Sequence, residues 1–162
     1  LAATPCRYPV LKRAFLFSCL TGLRKSDIQK LTWGEVQKFG KYTRIVFKQR
    51  KTKGQEYLDI SSQAEKYLGE RGNPDDIVFT GFTYGSWTSL ELQRWSLAAG
   101  VNKNLTFHCA RHTFAVLMLD LGADIYTVSK LLGHRFLTTT QIYAKVLDKN
   151  KQNAVSLIPD IG

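Results

Sequence analysis

The chain has 162 residues, 44% of them hydrophobic, and a formal net charge of +10. Its length suggests one domain with a sizeable core, and its apolar and aromatic content excludes a disordered tail. The best apolar run, Ala14 to Leu20, is far shorter than the roughly 20 residues of a membrane span. Three cysteines without a CxxC pair argue for a reducing compartment and against a disulfide scaffold or a zinc ribbon.

The positive charge is concentrated in one part of the chain. Residues 1–60 hold 13 Lys/Arg and 4 Asp/Glu, a net of +9, whereas the remaining 102 residues have a net of +1. A regional excess of this kind suits a surface that faces a polyanion, which makes nucleic acid the first partner to consider. A solvated charged face is the alternative. A membrane-surface helix is less favoured, because the basic residues are scattered over several kinds of segment.

Hydrophobic periodicity and turn residues predict seven helices and a small sheet. In chain order, the helices cover residues 8–20, 27–31, 61–72, 87–99, 108–121, 125–132 and 138–146. Two segments rich in β-branched and aromatic residues, 43–48 and 55–60, predict a β-hairpin, and 77–79 is a candidate third strand. The expected N-caps are Ser26, Ser61 or Ser62, and Ser86 or Thr88.

The predicted fold class is therefore mainly α with a small antiparallel β-sheet of two to three strands. No repeat, low-complexity stretch or linker divides the sequence, so residues 1–162 are expected to form one domain. The first residue is Leu1 and no signal peptide follows, which favours a domain taken from a longer protein.

The motif HCARH, at residues 108–112, opens the most apolar helix. His108 and Arg111 are three residues apart and project from one face, and residues 113–119 are apolar on nearly every side, as in a core helix. A guanidinium at the mouth of such a helix is costly unless an anion pairs with it. No carboxylate lies within four residues of Arg111, so a bound ligand and a salt bridge to a distant Asp or Glu are both open.

The same segment also raises the possibility of zinc, with candidate ligands His108, Cys109, His112 and His134. His108 and His112 lie at i and i+4 and could share a metal. The HExxH pattern of zinc proteases fails, however, because residue 109 is Cys and no acidic residue follows. The zinc interpretation is therefore the weaker one.

Three further features carry little information when each is taken alone. Tyr143, nine residues after a Gly-His pair, is by itself best explained as half-buried packing. Arg24 follows a glycine break and precedes Asp27 by three residues, which suggests a helix start with a local ion pair. Most turns like the one in the hairpin are simply solvated, although this turn presents Arg50, Lys51 and Lys53.

The order of these features along the chain is far more specific than any one of them alone. The motifs TGLRKSDI, KTKG, HCARHTFA, LLGH and QIYAK, read in that order, resemble the tyrosine recombinase (phage integrase) family. The pattern Arg…Lys…His-x-x-Arg…Gly-His…Tyr is specific because six residue types must follow one another in those contexts. The resemblance covers the family's C-terminal catalytic domain almost end to end and implies its fold, without the N-terminal core-binding domain.

The resemblance implies six catalytic residues: Arg24, Lys51, His108, Arg111, His134 and Tyr143. Arg24 and Arg111 would clamp the scissile phosphate, because a forked guanidinium matches two phosphate oxygens at once. Tyr143 would be the nucleophile. His112 is expected to be structural.

The remaining roles are also implied by the family. His108 would take the tyrosine proton or bind phosphate, and His134 would hydrogen-bond a phosphate oxygen. Lys51 would protonate the departing 5′-oxygen as general acid, with Lys53 as the alternative on the same turn. Asp27 would hold Arg24 in place.

The implied activity is site-specific DNA recombination, with strand cleavage and rejoining through a 3′-phosphotyrosyl intermediate. The phosphotyrosyl bond conserves the energy of the phosphodiester, so no cofactor, neither ATP nor a metal ion, is implied. The implied partner is a double-stranded DNA attachment or crossover site, bound by a homotetramer, whereas the isolated domain is expected to be monomeric and away from membranes. A cytoplasmic, nucleoid-associated protein of a bacterial mobile element is the expected setting.

Three other functions remain open at this point. A type IB topoisomerase uses similar chemistry without strand exchange, although the LLGH and RHTFA contexts favour a recombinase. A non-catalytic DNA-binding module would explain the charge alone. A zinc-dependent hydrolase is the most distant alternative.

Overall fold

The computed structural model describes residues 1–48, 55–146 and 155–159. Within those ranges the chain forms six α-helices, three strands and three short 3-10 helices, which confirms the predicted fold class. The chain divides into two compact units, Leu1–Arg111 and His112–Gly162, and the boundary falls inside one continuous helix.

The first unit begins with α1, Pro9–Thr21, which forms as predicted. Proline at the start of a helix is favourable because its fixed φ suits the first turn. The helix ends at Gly22, whose φ of 70° is left-handed and whose N–H donates to the Ser18 carbonyl at 2.8 Å. Four apolar side chains of α1 are at most 1% exposed and form part of the core: Leu11, Ala14, Phe15 and Phe17.

Helix α2 spans Lys25–Ile28, so it begins and ends earlier than predicted, and Ser26 lies inside it instead of capping it. The predicted extension of this helix to Leu31 does not form. Leu31 is 2% exposed, and its carbonyl accepts a hydrogen bond from the Val78 N–H at 2.9 Å, so this residue is held by tertiary contacts outside the helix.

The sheet is antiparallel with the strand order β1-β2-β3. Strands β2 (Tyr42–Lys48) and β3 (Gln55–Ile60) are the predicted hairpin, in which Ile45 pairs with Leu58. The third strand, β1, is Val36–Phe39, and it pairs with β2.

The candidate third strand at 77–79 is therefore wrong. Ile77 forms only an isolated bridge with Thr32. Val78 and Phe79 are 5% and 1% exposed, so core burial explains this apolar run without strand pairing. A short apolar run has the same appearance in both cases.

Two further helices follow the sheet in the first unit. Ser61 caps α3 (Ser62–Glu65), its hydroxyl accepting from the Ala64 N–H at 3.2 Å. The predicted extension to residue 72 is wrong, because Gly69 adopts a φ of 85° that a helix cannot contain. Helix α4 spans Ser86–Ala98 with Gly85 at its N-cap, where the Thr88 hydroxyl accepts from the Gly85 N–H at 2.7 Å.

Helix α5, His108–Asp120, runs from the first unit into the second. Its residues Phe114, Ala115 and Leu119 form a buried cluster with Val128 and Leu132. Val116 and Leu117 are 40% and 39% exposed, so the helix is buried along one face and not on every side as predicted.

Helix α6 (Ile125–Leu131) follows, as predicted, with the Asp124 carboxylate at its N-cap. The next predicted helix, 138–146, is instead two 3-10 segments, Leu137–Thr139 and Gln141–Val146. Three consecutive threonines at 138–140 are poor helix formers because their β-branched side chains crowd the preceding turn. In the part of the chain that the structure describes, no helix is long and apolar enough to cross a bilayer.

Candidate active site

Arg24 lies on a short loop that two hydrogen bonds attach to the end of α1. The Ser18 hydroxyl donates to the Leu23 carbonyl at 2.8 Å, and the Leu23 N–H donates to the Thr21 hydroxyl at 3.3 Å. Leu23 itself is only 8% exposed. Arg24 follows with an extended backbone and an exposed side chain, so a fixed main chain carries an accessible guanidinium.

Arg111 lies in the first turn of α5 and is only 6% exposed. Its Nη1 donates a hydrogen bond to the Gly22 carbonyl oxygen. The sequence suggested an anionic ligand or a distant carboxylate as partner, and a backbone carbonyl is a third solution. Through this bond, the second arginine is tied to the loop that carries the first.

Both arginines and His108 line one concave pocket of about 310 Å³ in the first unit. The structure therefore brings together three of the six predicted site residues. The other lining residues are Ser18, Leu23, Lys25, Ser26, Tyr84, Thr106 and Phe107. None of these described lining residues is acidic, so the basic side chains of Arg24, Lys25 and Arg111 meet without a carboxylate at the pocket wall. This composition suits a bound anion.

Lys25 and Tyr84 are pocket residues that the sequence analysis missed. The Lys25 ammonium lies 4.7 Å from the centroid of the Tyr84 ring, and the Tyr84 hydroxyl accepts from the Phe107 N–H at 3.2 Å. Lys25 is adjacent to Arg24, which was a usable signal. Nothing in the turn sequence around Tyr84 distinguishes it from an ordinary surface aromatic residue.

Asp27 was predicted to hold Arg24 in place. Within residues 1–48, no ion pair joins the two side chains, and their observed link is the backbone bond from the Asp27 N–H to the Arg24 carbonyl at 3.0 Å. In a four-residue helix that begins just after Arg24, Asp27 contributes to the turn through its main chain.

In the second unit, Tyr143 is half-buried in the segment Gln141–Val146 and packs against the α5–α6 core cluster. Its hydroxyl is hydrogen-bonded to Nδ1 of His112, and the two rings meet edge to face with centroids 5.6 Å apart. His112 was expected to be structural, so this contact is the main site feature that sequence reasoning missed. Its position directly after Arg111 was the available signal.

His134 is also oriented by a neighbour within the second unit. Gly133, with a φ of 61°, ends α6, and the His134 N–H donates to the Ser129 carbonyl at 3.0 Å. The His134 Nδ1 atom forms a hydrogen bond of 2.8 Å with the hydroxyl of Thr140, which is fully buried. The ring orientation is thus fixed by a core residue.

The predicted general acid, Lys51, and its alternative, Lys53, lie outside the described residues. The strands on either side pair as predicted, with Lys48 opposite Gln55.

The described part of the chain offers no support for the zinc interpretation. Among the described residues, no three His, Cys, Asp or Glu side chains are grouped so that they could hold a metal ion. Cys109, one of the candidate ligands, has its sulfur 3.4 Å from the backbone nitrogen of Thr106, which donates to it.

Comparisons with known proteins identify the fold first. The catalytic domain of bacteriophage HP1 integrase superimposes with a TM-score of 0.66 at 24% identity, covering 96% of this chain and 86% of that one. The XerH site-specific recombinase, solved bound to its palindromic difH substrate, has a TM-score of 0.67 at 20% identity, covering 91% of this chain and 45% of that one. The fold is that of an integrase catalytic domain.

Comparison of sequences identifies the family. Residues 2–150 match the model of the phage integrase family, and the chain belongs to that family. The tyrosine recombinase XerD of Oceanobacillus iheyensis is 33% identical over 140 residues, which are 78% of this chain and 46% of the relative. The chain thus spans about half the length of this relative.

Proposed function

We propose that this chain is the catalytic part of a site-specific DNA recombinase that cleaves and rejoins strands through a phosphotyrosyl intermediate. The observation that carries the proposal is the pocket in which Arg24, Arg111 and His108 meet without an acidic lining residue. Its family relatives include proteins called tyrosine recombinases, and the XerH structure holds a DNA substrate.

In this proposal, the scissile phosphate occupies the pocket. Two guanidinium groups face its non-bridging oxygens, each able to donate two parallel hydrogen bonds. Negative charge builds on those oxygens as the phosphorus becomes pentacoordinate. Fixed cations therefore stabilise the transition state more than the ground state, which is what accelerates the reaction.

Tyr143 is the proposed nucleophile. Its phenol oxygen forms a bond to phosphorus while the bond from phosphorus to the 5′-oxygen breaks, leaving a 3′-phosphotyrosyl DNA end. Lys51 is the proposed donor of the proton that the 5′-oxygen gains, and His134 the proposed donor to a phosphate oxygen. Because the new ester replaces the old one, this exchange consumes neither ATP nor a metal-bound water.

Double-stranded DNA is accordingly the proposed partner, with a homotetramer as the proposed assembly on it and the bacterial nucleoid as the proposed location. The basic excess of residues 1–60 supports the DNA assignment, since phosphate contacts by Lys and Arg provide most of the salt-dependent affinity of such proteins.

Covalent trapping tests this proposal. The complete gene product that contains this chain is incubated in EDTA with a pool of nicked duplexes whose central base pairs are randomised, and is then denatured. We expect a nucleotide-modified Tyr143 peptide by mass spectrometry, and sequencing of the trapped DNA would identify the preferred site.

Two variants control the experiment. Tyr143→Phe should give no adduct, whereas Tyr126→Phe should behave as wild type, because Tyr126 is 59% exposed and lies against Lys130. A wild-type protein without an adduct, or an adduct that persists in Tyr143→Phe, would refute the proposal. Relaxation of a supercoiled plasmid without strand exchange would favour the topoisomerase alternative.

A further inference from the structure

The contact between His112 and Tyr143 joins an imidazole to the phenol that is the proposed nucleophile. The Nδ1 atom of His112 is hydrogen-bonded to the Tyr143 hydroxyl, and the rings pack edge to face. Imidazole is the most frequent proton acceptor in enzymes because it changes charge near neutral pH. We infer that His112 accepts the Tyr143 proton during strand cleavage, an inference that rests on the proposed recombinase function.

The fold holds both partners of this contact. Tyr143 packs against the buried cluster of α5 and α6, and its backbone N–H donates to the Thr140 carbonyl at 3.1 Å. His112 is half-buried on α5, two residues before Phe114, a member of the same cluster. The nucleophile packs on this cluster and its acceptor lies on a helix that contributes to it, so the two groups are positioned together, which lowers the entropic cost of proton transfer.

The positions of the two histidines on α5 divide the work between them. His108 lines the pocket with Arg24 and Arg111, whereas His112, four residues later, contacts the phenol oxygen. The family resemblance left His108 with two roles, proton acceptor or phosphate ligand. In this division, His108 binds the phosphate and His112 takes the proton.

The proposed step transfers one proton from Tyr143 to His112. The O–H bond of Tyr143 breaks as its oxygen bonds to phosphorus, and the proton moves to Nδ1 of His112, which becomes imidazolium. This requires the neutral tautomer with its proton on Nε2. The 5′-oxygen leaves phosphorus with its electron pair and takes a proton from a separate donor, proposed as Lys51. In rejoining, His112 returns the proton to Tyr143.

Two substitutions separate proton transfer from simple positioning. His112→Ala removes both the contact and the acceptor, whereas His112→Asn keeps a polar atom near the position of Nδ1 but cannot take a proton. We expect both variants to form the Tyr143 adduct roughly 10²-fold more slowly or worse, as for other general bases. Added imidazole should accelerate His112→Ala and leave His112→Asn unchanged.

A modified substrate separates this role from that of the general acid. A 5′-bridging phosphorothiolate has a leaving group that needs no proton, so it should restore cleavage by Lys51→Ala but not by His112→Ala. Restoration of His112→Ala, a His112→Asn rate within about threefold of wild type, or failure of imidazole to accelerate His112→Ala would overturn the inference.

The contact itself can be tested without DNA. In protein labelled with ¹³C at tyrosine Cζ, the resonance missing from Tyr143→Phe belongs to Tyr143. It should move in His112→Ala, and an unchanged resonance would overturn the inference. If instead Tyr143→Phe loses cleavage while both His112 variants keep the wild-type rate, the inference fails and the proposed function stands.

Discussion

The two pocket arginines do different structural work although the resemblance gives them the same role. Arg24 is exposed on the loop after α1, whereas Arg111 is 6% exposed and donates to the Gly22 carbonyl. A buried guanidinium with a defined backbone acceptor contributes to folding as well as to any ligand it binds. An exposed guanidinium of this kind contributes mainly to the ligand.

This difference predicts distinct effects of two alanine substitutions. Arg111→Ala should lower the free energy of unfolding by roughly 1–3 kcal/mol, because the buried Gly22 carbonyl loses its donor, and should also abolish adduct formation. Arg24→Ala should abolish adduct formation with little change in stability. Urea unfolding and covalent trapping on the same samples measure both effects. Equal loss of stability in the two variants would contradict this assignment.

At the scale of the elements, α6 illustrates how local capping supports a site residue. Its N-cap, Asp124, accepts the Thr127 N–H at 2.9 Å and the Thr127 hydroxyl at 2.6 Å. At its other end, Gly133 turns the chain directly before His134. The orientation of His134 thus depends on where this short helix begins and ends.

The cap also predicts a pH dependence. Hydrogen bonds from the hydroxyl and backbone of Thr127 hold the pKa of Asp124 below its ordinary value. Because folding lowers this pKa, the ionised carboxylate stabilises the folded state at pH values above the ordinary carboxyl pKa of about 3.9. This contribution disappears as the pH falls through the lowered pKa. Asp124→Ala should therefore unfold at less urea than wild type at pH 7, with a gap that narrows towards acid pH.

The asparagine variant is the matched control for this prediction. Asp124→Asn retains a capping oxygen without the charge, so its urea midpoint at neutral pH should lie between those of wild type and Asp124→Ala. A gap between wild type and Asp124→Ala that stays constant from neutral to acid pH would contradict the assignment.

Elements with a strong local signal could be predicted from the sequence, and those decided by tertiary contacts could not. The hairpin of β2 and β3 and the helices α1, α5 and α6 carry clear periodicity and clear ends. The strand Val36–Phe39 has only one buried side chain, Val36, and therefore shows no apolar alternation. Residues 77–79 look like a strand, but burial of Val78 and Phe79 explains their composition.

The candidate site also contains features that the sequence predicts and features that only tertiary contacts decide. The order of motifs selected Arg24, His108 and Arg111, which the structure places in one pocket. The partners of these residues could not be predicted, because they depend on which atoms the fold brings close. The carbonyl of Gly22, the ring of Tyr84 and the contact of His112 with Tyr143 are examples.

At the scale of the whole molecule, the last described segment raises the question of assembly. Its apolar side chains Val155, Leu157 and Ile158 are 67%, 81% and 70% exposed. Such exposure of three neighbouring apolar residues is unfavourable in water and is typical of segments that bind another surface. We propose that this segment, residues 155–158, docks on a second copy when several copies assemble on DNA.

Deleting residues 152–162 should therefore weaken assembly on DNA while leaving the binding of a single copy to one half-site nearly unchanged. Native gels and analytical ultracentrifugation with a duplex recovered by covalent trapping can measure the two effects separately. Leu157→Ser combined with Ile158→Ser should reproduce the defect. The two substitutions replace the apolar contact with serine hydroxyls, whose burial in the interface is unfavourable. Leu121→Ser is the matched control, since Leu121 is 72% exposed on the surface after α5. Assembly that is unchanged by the deletion would rule out this docking role.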